Sequence, residues 1–237
     1  MNKQLLNDVI EWDVVNWGRA LAYWQDAGID FKGCKVLDIG SRNGGLSLWF
    51  ALQGAEVVCS DLDGPTEQAI ALHKKYGVAD KIRYQKIDAT NVPYTNYFDV
   101  VVFKSVLGGI GADENVEKQK KAISEMQKAI DFENGKGYLL FAENMVATQI
   151  HTYFRRKYIP WGTHWRYAEL NDLLGMLDAF EKVDYRTTGF LGAFGRNNAQ
   201  RSFLGRIDGV LDRVIPECRK YICIGIASGT KKEEDAV

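Results

Sequence analysis

The sequence predicts an α/β fold in which a mostly parallel sheet carries helices on both faces. Three observations indicate it. Residues 35–51 read as a short apolar strand, a glycine-containing loop and a helix. Residues 56–61 form a second strand-like run that ends in a carboxylate. Strand-like and helix-like segments then alternate as far as residue 142, which is the pattern of β-α units.

The first unit is defined by apolar residues and glycines. Val36, Leu37 and Ile39 are typical of a strand buried on both faces. Gly40 and Gly44 allow the chain to turn sharply before the helical spacing of the next segment begins. Such a loop directs backbone N–H groups at a helix N-terminus towards a bound nucleoside cofactor.

Three further strands follow, at residues 56–61, 82–89 and 97–107. The acid at the end of the second, Asp61, comes at roughly the 20-residue spacing at which dinucleotide folds place a carboxylate on ribose hydroxyls. The third ends in the pair Asp88-Ala89. Because the carboxyl ends of parallel strands share one edge of a sheet, these residues are expected to border one ligand site.

The motifs, in order, are Val-Leu-Asp-Ile-Gly-Ser-Arg-Asn-Gly, an acid ending strand two, Asp-Ala after strand three and Phe-Asp-Val-Val before strand four. Over residues 33–145 this order resembles the class I S-adenosylmethionine-dependent methyltransferases. The resemblance implies a Rossmann-like fold of seven strands, mostly parallel with an antiparallel last strand, and S-adenosyl-L-methionine as cofactor. One departure is Arg42, which stands where the family has its middle glycine.

The resemblance also implies a set of cofactor-binding residues. These are Asp38, Gly40, Ser41, Arg42, Asn43 and Gly44 around the methionine end, Asp61 and Leu62 at the ribose and adenine, Asp88 and Ala89 at the adenine amine, and Lys104 and Ser105 beyond strand four.

The chain reads as one domain, residues 1–230, followed by a polar tail at 231–237. Residues 1–33 are predicted to be a helical lid over the site. Aromatic and basic residues at 145–166, and the glycine-rich, aromatic stretch that opens 189–206, are predicted insertions near the active site.

Composition narrows the class of protein. Hydrophobic residues make up 46% and the net charge is −1, which is typical of a globular chain that buries a sizeable core. Without a membrane-length apolar run or a secretory-signal layout, a cytoplasmic location is expected. The mildly basic late segment fits a small anionic acceptor better than nucleic acid or a membrane, and the aromatic content leaves a homodimer open.

The acceptor class is narrowed by motifs that the chain lacks. The Asn/Asp-Pro-Pro-Tyr segment of nucleobase amino methyltransferases is replaced by Phe-Lys-Ser-Val at 103–106, and no cysteine lies between Cys59 and Cys218 to serve pyrimidine carbon methylation. No metal site is expected, since Lys104 opposes a cation. Metal-free transfer to an oxygen, or less favourably a nitrogen, remains.

The candidate bases are His164, His151 and Glu143. The candidate acceptor-binding residues are Trp17, Arg19, Arg155, Trp161 and Arg166. A diffuse similarity to bacterial polysaccharide-locus methyltransferases favours a sugar or sugar nucleotide as acceptor. Two alternatives stay open: a non-catalytic S-adenosylmethionine-binding protein, and a nicotinamide-dependent oxidoreductase.

Overall fold

A computed structural model describes residues 1–133, 137–160 and 162–231. Its centre is a seven-stranded sheet in the order β3-β2-β1-β4-β5-β7-β6. The strands are β1 Lys35–Ile39, β2 Glu56–Asp61, β3 Ile82–Lys86, β4 Val100–Lys104, β5 Tyr138–Asn144, β6 Phe180–Thr188 and β7 Ile222–Thr230. The first five strands pair in parallel, and β7 runs antiparallel to both of its neighbours. The predicted fold class is therefore confirmed.

Nine α-helices surround the sheet in the described ranges. They are α1 Lys3–Ile10, α2 Val14–Asp26, α3 Gly45–Leu52, α4 Glu67–Lys75, α5 Leu107–Ile110, α6 Val116–Ala129, α7 Gln149–Tyr158, α8 Leu170–Gly175 and α9 Asn198–Leu211. None of these helices is both long and apolar enough to cross a bilayer.

Alternating residues of the strands belong to two apolar cores, one on each face of the sheet. In β1, Val36 joins the core that contains the N-terminal helices and α3, whereas Leu37 joins the core that contains α6 and α8. The same alternation appears in β4, where Val102 and Phe103 lie on opposite faces. A strand buried on both sides needs apolar residues at successive positions, which explains the continuous runs in the sequence.

Several elements differ from their sequence-based boundaries. The lead-in is two helices, because Glu11 and Asp13 adopt left-handed backbone conformations (φ 70° and 44°) that interrupt helical hydrogen bonding. Helix α9 begins at Asn198, within the predicted insertion 189–206, and the Asn197 side chain caps it by accepting a hydrogen bond from the Gln200 N–H. Trp161 and residues 232–237 of the predicted tail lie outside the described residues.

Candidate active site

A cavity of about 690 Å³ lies at the carboxyl ends of β1 and β4. Its walls come from the glycine loop, the N-terminal segment, the segment that includes α7, and the start of α9. The residues that line the cavity include Glu11, Trp12, Asp13, Asp38, Gly40, Ser41, Arg42, Gly45, Lys104, Ser105, Asn144, Arg155, Tyr158, Trp165, Tyr167, Gly192, Asn198, Arg201 and Tyr221.

The glycine loop turns through left-handed backbone at three positions. Gly40 has φ 65°, and a Cβ there would lie 2.6 Å from Val106 Cγ2. Gly44 has φ 75°, and a Cβ there would lie 2.6 Å from the His73 ring. Arg42 also takes a left-handed conformation (φ 50°), and its N–H donates to Asp61 Oδ2 at 2.9 Å. Arg42 thus has the left-handed backbone conformation that suits a glycine at this position. For a residue with a Cβ, this conformation costs conformational energy.

Two other loop residues fix the loop to its surroundings. The Ser41 N–H donates to the Ser60 carbonyl at 2.8 Å. The Asn43 amide donates to Glu11 Oε2 at 3.1 Å, which ties the loop to the break between α1 and α2. Asn43 does not line the cavity and contacts its rim indirectly through Glu11.

Asp38 supports the loop from below. Its Oδ2 accepts hydrogen bonds from the Ser47 N–H (2.9 Å) and the Ser47 hydroxyl (2.7 Å), so it satisfies a donor in the first turn of α3. Burial raises the pKa of Asp38 to about 7, against the lowering effect of those hydrogen bonds and of Lys104. Asp38 is therefore both a structural and a cavity-lining residue.

The predicted ribose and adenine residues lie on the open side of the loop, at the ends of β2 and β3, and do not line the cavity. Asp61 uses Oδ2 for the Arg42 N–H and keeps Oδ1 without a partner among the described residues. Leu62 is 58% exposed. Asp88 accepts from the Thr90 N–H and hydroxyl, both at 2.8 Å, and these bonds lower its pKa; Ala89 is buried beside it.

At the end of β4, Ser105 is held in a left-handed conformation (φ 56°). Its N–H donates to the Ala142 carbonyl at 2.8 Å, and its hydroxyl accepts from the Asn144 amide at 2.6 Å. Left-handed non-glycine residues persist where the surrounding structure holds them, and they are concentrated at functional sites. Lys104 and Ser105 both line the cavity.

The structure keeps the three predicted bases out of the cavity lining. Glu143 lies beneath it and accepts hydrogen bonds from the N–H groups of Val106 and Leu107, at 2.8 and 2.9 Å; burial raises its pKa to about 7. His151 is buried with both ring nitrogens engaged, by the Thr148 hydroxyl and the Phe190 carbonyl. The His164 side chain is 76% exposed and lies 3.5 Å from Asp113.

Of the predicted acceptor-binding residues that the structure describes, Arg155 alone lines the cavity. Arg19 bonds to Asp212 and the Gly205 carbonyl, and so joins α2 to α9. Arg166 donates to Gln119 and Asp172 behind the cavity wall. Trp17 is fully buried below Trp12. The fifth, Trp161, is outside the described residues.

Asp13 is a cavity residue that sequence reasoning missed. It is 2% exposed, accepts a hydrogen bond from the Tyr221 hydroxyl, and lies 3.3 Å from the Asn16 amide nitrogen. Burial, together with the charge of nearby Asp208, raises its pKa to about 7 against the lowering effect of the hydrogen bonds from Tyr221 and Asn16. Tyr221 is 208 positions away in the chain, so spacing offered no signal.

The glycine pair at 108–109 has a structural explanation. The Trp165 indole packs directly against both glycines. A Cβ on Gly108 would lie 1.6 Å from Trp165 Nε1, and a Cβ on Gly109 would lie 3.1 Å from Trp165 Cζ3. Trp165 also lines the cavity. Within the described part of the chain, no group of three or more His, Cys, Asp or Glu is placed to hold a metal ion.

Residues 37–131 match the family model described as a methyltransferase domain. No curated protein sequence matches the chain.

Solved structures share the fold at low sequence identity. Phosphoethanolamine N-methyltransferase 2 of Haemonchus contortus, solved with phosphomonomethylethanolamine and S-adenosylhomocysteine, has a TM-score of 0.63 and 16% identity over 91% of this chain. This chain spans only 53% of that protein's length. The YcgJ protein of Bacillus subtilis (TM-score 0.59, 17% identity) is matched over 91% of this chain and 100% of its own.

A third similar structure is the magnesium protoporphyrin IX methyltransferase of Synechocystis, solved with bound S-adenosylhomocysteine. It has a TM-score of 0.58 and 17% identity, over 90% of this chain and 81% of that one. The family match covers the glycine loop and the first four strands, and the structural matches extend the same fold to the rest of the chain. Residues 37–131 therefore match a methyltransferase-domain model, and the chain as a whole shares the fold of the methyltransferases that were solved with S-adenosylhomocysteine.

Proposed function

We propose that this protein transfers a methyl group from S-adenosylmethionine to an oxygen of a small anionic acceptor, with sugars and sugar nucleotides as the first class to test. The position of Arg155 is the observation that supports an anionic acceptor. Its side chain is 95% buried, lines the cavity, and has no carboxylate within ion-pair distance among the described residues.

The cofactor fits the open edge of the sheet. Gly40 leaves no room for a side chain between the loop and Val106, and Asp61 keeps one carboxylate oxygen for a ribose hydroxyl. S-adenosylmethionine, when bound, supplies an electrophilic methyl group on a sulfonium. Methyl transfer from so good a leaving group needs mainly positioning and exclusion of water, which an enclosed cavity beside the loop provides.

The contacts of Arg155 fix its guanidinium in place without pairing its charge. Its Nη1 donates to the Met145 carbonyl at 2.6 Å, and its guanidinium stacks 4.1 Å from the centre of the Tyr167 ring. Burial lowers the pKa of Arg155, against the raising effects of Tyr167, Tyr221 and Glu143. A buried charge without a counter-ion is costly, and a carboxylate or phosphate on the acceptor would remove that cost while binding in a defined orientation.

Asp13 is the proton acceptor that the cavity offers. As the bond between the acceptor oxygen and the methyl carbon forms, the hydroxyl proton passes to the Asp13 carboxylate, and the electron pair of the broken carbon–sulfur bond stays on sulfur. A carboxylate with a pKa of about 7 is well matched to this role near neutral pH. The Tyr221 hydroxyl donates a hydrogen bond to this carboxylate and orients it.

The two alternatives left open by the sequence are less well supported. The methyltransferase-domain match favours methyl transfer over hydride transfer with a nicotinamide cofactor. The non-catalytic alternative is disfavoured because Arg42 adopts the left-handed backbone that the glycine loop needs, and Trp165 packs against Gly108 and Gly109, so the cavity is intact.

The test begins with calorimetric titration of S-adenosylhomocysteine and NADH into the same preparation. Micromolar binding of the first alone is expected; binding of NADH alone would overturn the proposal. Transfer of radiolabelled methyl groups to a panel of nucleotide sugars, sugar acids and neutral sugars then identifies the acceptor, and activity should survive EDTA.

The anionic preference is tested with Arg155→Met. We expect it to lower kcat/KM for the acceptor at least tenfold while S-adenosylhomocysteine affinity is unchanged, because a charge-assisted pair is lost at the acceptor only. Arg156→Met, an exposed neighbour on the same helix, is the matched control and should behave as wild type. Unchanged turnover in the first variant, or turnover of neutral acceptors only, would refute the assignment.

A further inference from the structure

His73 is the third histidine of the chain and was not among the candidate bases. It belongs to α4, is fully buried, and does not line the cavity. Its Nε2 lies 2.8 Å from the Gly44 carbonyl oxygen, and its Nδ1 lies 2.8 Å from the hydroxyl of Tyr84 in β3. The imidazole ring therefore connects the glycine loop to the sheet.

The two partners determine which ring nitrogen carries the proton. A carbonyl oxygen can only accept, so the contact with Gly44 requires a proton on Nε2. In the neutral ring Nδ1 is then an acceptor, and the Tyr84 hydroxyl donates to it. Burial lowers the pKa of His73, against the raising effect of the hydrogen bond to Gly44, and so favours the neutral ring. His73 is thus an Nε2–H donor directed at the glycine loop.

The same face of α4 contacts the loop at two further positions. Thr66, Ala69 and His73 are three and four residues apart, which is the spacing of one helix face. The Thr66 hydroxyl donates to the Arg42 carbonyl at 3.3 Å, and a Cβ on Gly44 would lie 3.0 Å from the Ala69 Cβ. None of the described residues of α4 lines the cavity, so this face supports the loop from outside it.

The Gly44 carbonyl sets the direction of the peptide that joins the loop to α3. It accepts from the Leu48 N–H at 2.9 Å as well as from His73. A trans peptide directs its carbonyl and the following N–H in opposite directions, so the Gly45 N–H is directed away from α4. Gly45 lines the cavity, and its N–H, in the first turn of α3, has no acceptor among the described residues.

We propose that His73 is a positioning residue for cofactor binding. As an Nε2–H donor it fixes the peptide between Gly44 and Gly45, and with it the glycine loop, in the conformation that receives S-adenosylmethionine. This inference rests on the proposed function. The imidazole lies on the far side of the loop and acts by preforming it. A loop that must be ordered when the ligand binds lowers the affinity, because part of the binding free energy is spent on ordering.

The experiment separates the Nε2–H donor from the rest of the imidazole. The amide nitrogen of His73→Gln reaches about as far along the side chain as Nε2 and can still donate to the Gly44 carbonyl. The amide nitrogen of His73→Asn reaches only about as far as Nδ1 and faces Tyr84 instead. Both variants lose the ring. Lys74→Gln, the exposed neighbour on α4, is the control.

Calorimetry measures S-adenosylhomocysteine affinity, and urea unfolding measures the stability of each variant. Lys74→Gln should match wild type, and His73→Gln should bind nearly as tightly. His73→Asn should bind about five- to tenfold more weakly than His73→Gln, the size of one net hydrogen bond, because the Leu48 N–H still satisfies the carbonyl. Equal affinities in the two His73 variants, or affinities that only follow their unfolding free energies, would make His73 a packing residue and overturn the inference.

A measurement on wild type decides the matter if a variant does not fold. Nitrogen-15 spectra of labelled histidines near neutral pH should show the His73 proton on Nε2; a proton on Nδ1 would remove the donor to Gly44 and overturn the inference. If wild type does not bind S-adenosylhomocysteine, the proposed function fails and the inference fails with it. Wild-type binding with an unaltered His73→Asn sinks the inference alone.

Discussion

The contact between α1 and α3 allows a quantitative test of how the N-terminal segment closes the cavity. Gly45, the first residue of α3, lies so close to α1 that a Cβ would be 2.1 Å from the Val9 carbonyl oxygen and 2.8 Å from its carbon. Gly45 has no left-handed backbone requirement, so the effect of Gly45→Ala comes from this contact. The neighbour is backbone and cannot rotate away as a side chain would.

The magnitude follows from the geometry. Ordinary contact begins near 3.4 Å, so α1 must retreat by about 1 Å or α3 must shift by a similar amount. Overpacking of this kind costs roughly 1–3 kcal/mol, and the rigid backbone partner argues for the upper end. The higher helix propensity of alanine offsets at most about 1 kcal/mol of this destabilisation. A net loss of about 2 kcal/mol is expected, or roughly 4–8 °C in Tm for a domain of this size.

Urea unfolding, followed by tryptophan fluorescence, measures the free energy, and calorimetry measures S-adenosylhomocysteine binding. Affinity should fall together with stability, because Glu11 and Trp12 directly follow α1 and line the cavity. The control is Gly175→Ala in α8, where a Cβ meets nothing within 4 Å. It should be neutral or stabilising by about 0.5–1 kcal/mol, with unchanged binding.

The reasoning would be refuted by a Gly45→Ala protein with wild-type unfolding free energy and wild-type affinity. Lost stability with unchanged affinity would be a narrower result: α1 packs as described, but its position does not control the cavity.

Other predictions concern two carboxylates. Asp61→Ala should weaken S-adenosylhomocysteine binding more than tenfold in calorimetry, because it removes the ribose carboxylate and frees the Arg42 N–H; an unaltered Kd would exclude Asp61 from the site. Burial raises the pKa of Asp13 from 3.8 to about 7, so the folded protein favours its protonated form. Its contribution to stability is present below pH 4 and is lost as pH rises through about 7, up to about 4 kcal/mol. Asp13→Asn should reduce the slope of the urea-unfolding free energy between about pH 4 and 7, to which Asp38 and Glu143 also contribute, and a profile as steep as wild type would contradict the burial argument. With the acceptor in hand, wild-type kcat should rise with pH through about 7. Asp13→Asn should then lower kcat about 100-fold with cofactor affinity kept, and wild-type kcat in that variant would return Asp13 to a structural role.

Much of the fold was predictable because its signals are local. Apolar runs, glycines that permit a left-handed turn, and acids that end successive strands all lie within a few residues of one another. Thr66 caps the start of α4 in the same local way, since its hydroxyl accepts a hydrogen bond from the Ala69 N–H. Topological rules for parallel sheets then bring the strand ends to one edge.

The chemistry of the acceptor side was less predictable because it depends on contacts between distant segments. His151 stands in an aromatic segment that resembles a catalytic insertion, yet the fold engages both of its ring nitrogens in the interior. Asp13 reads as a surface acid of a helix, yet a left-handed backbone turns it inward against Tyr221. Neither outcome is encoded in residue type or in spacing.

The sequence by itself determined the β-α alternation, the glycine loop and the edge of the sheet at which a cofactor binds, since these follow from backbone preferences and from strands buried on both faces. Only the tertiary structure decided where the charged side chains lie: Arg155 and Lys104 line the cavity with no ion-pair partner among the described residues, Asp13 lies in a buried network, and His164 is exposed. The physical reason is that burial and the distance to a partner charge, which set both pKa and the need for a ligand, are fixed by packing between segments far apart in the chain.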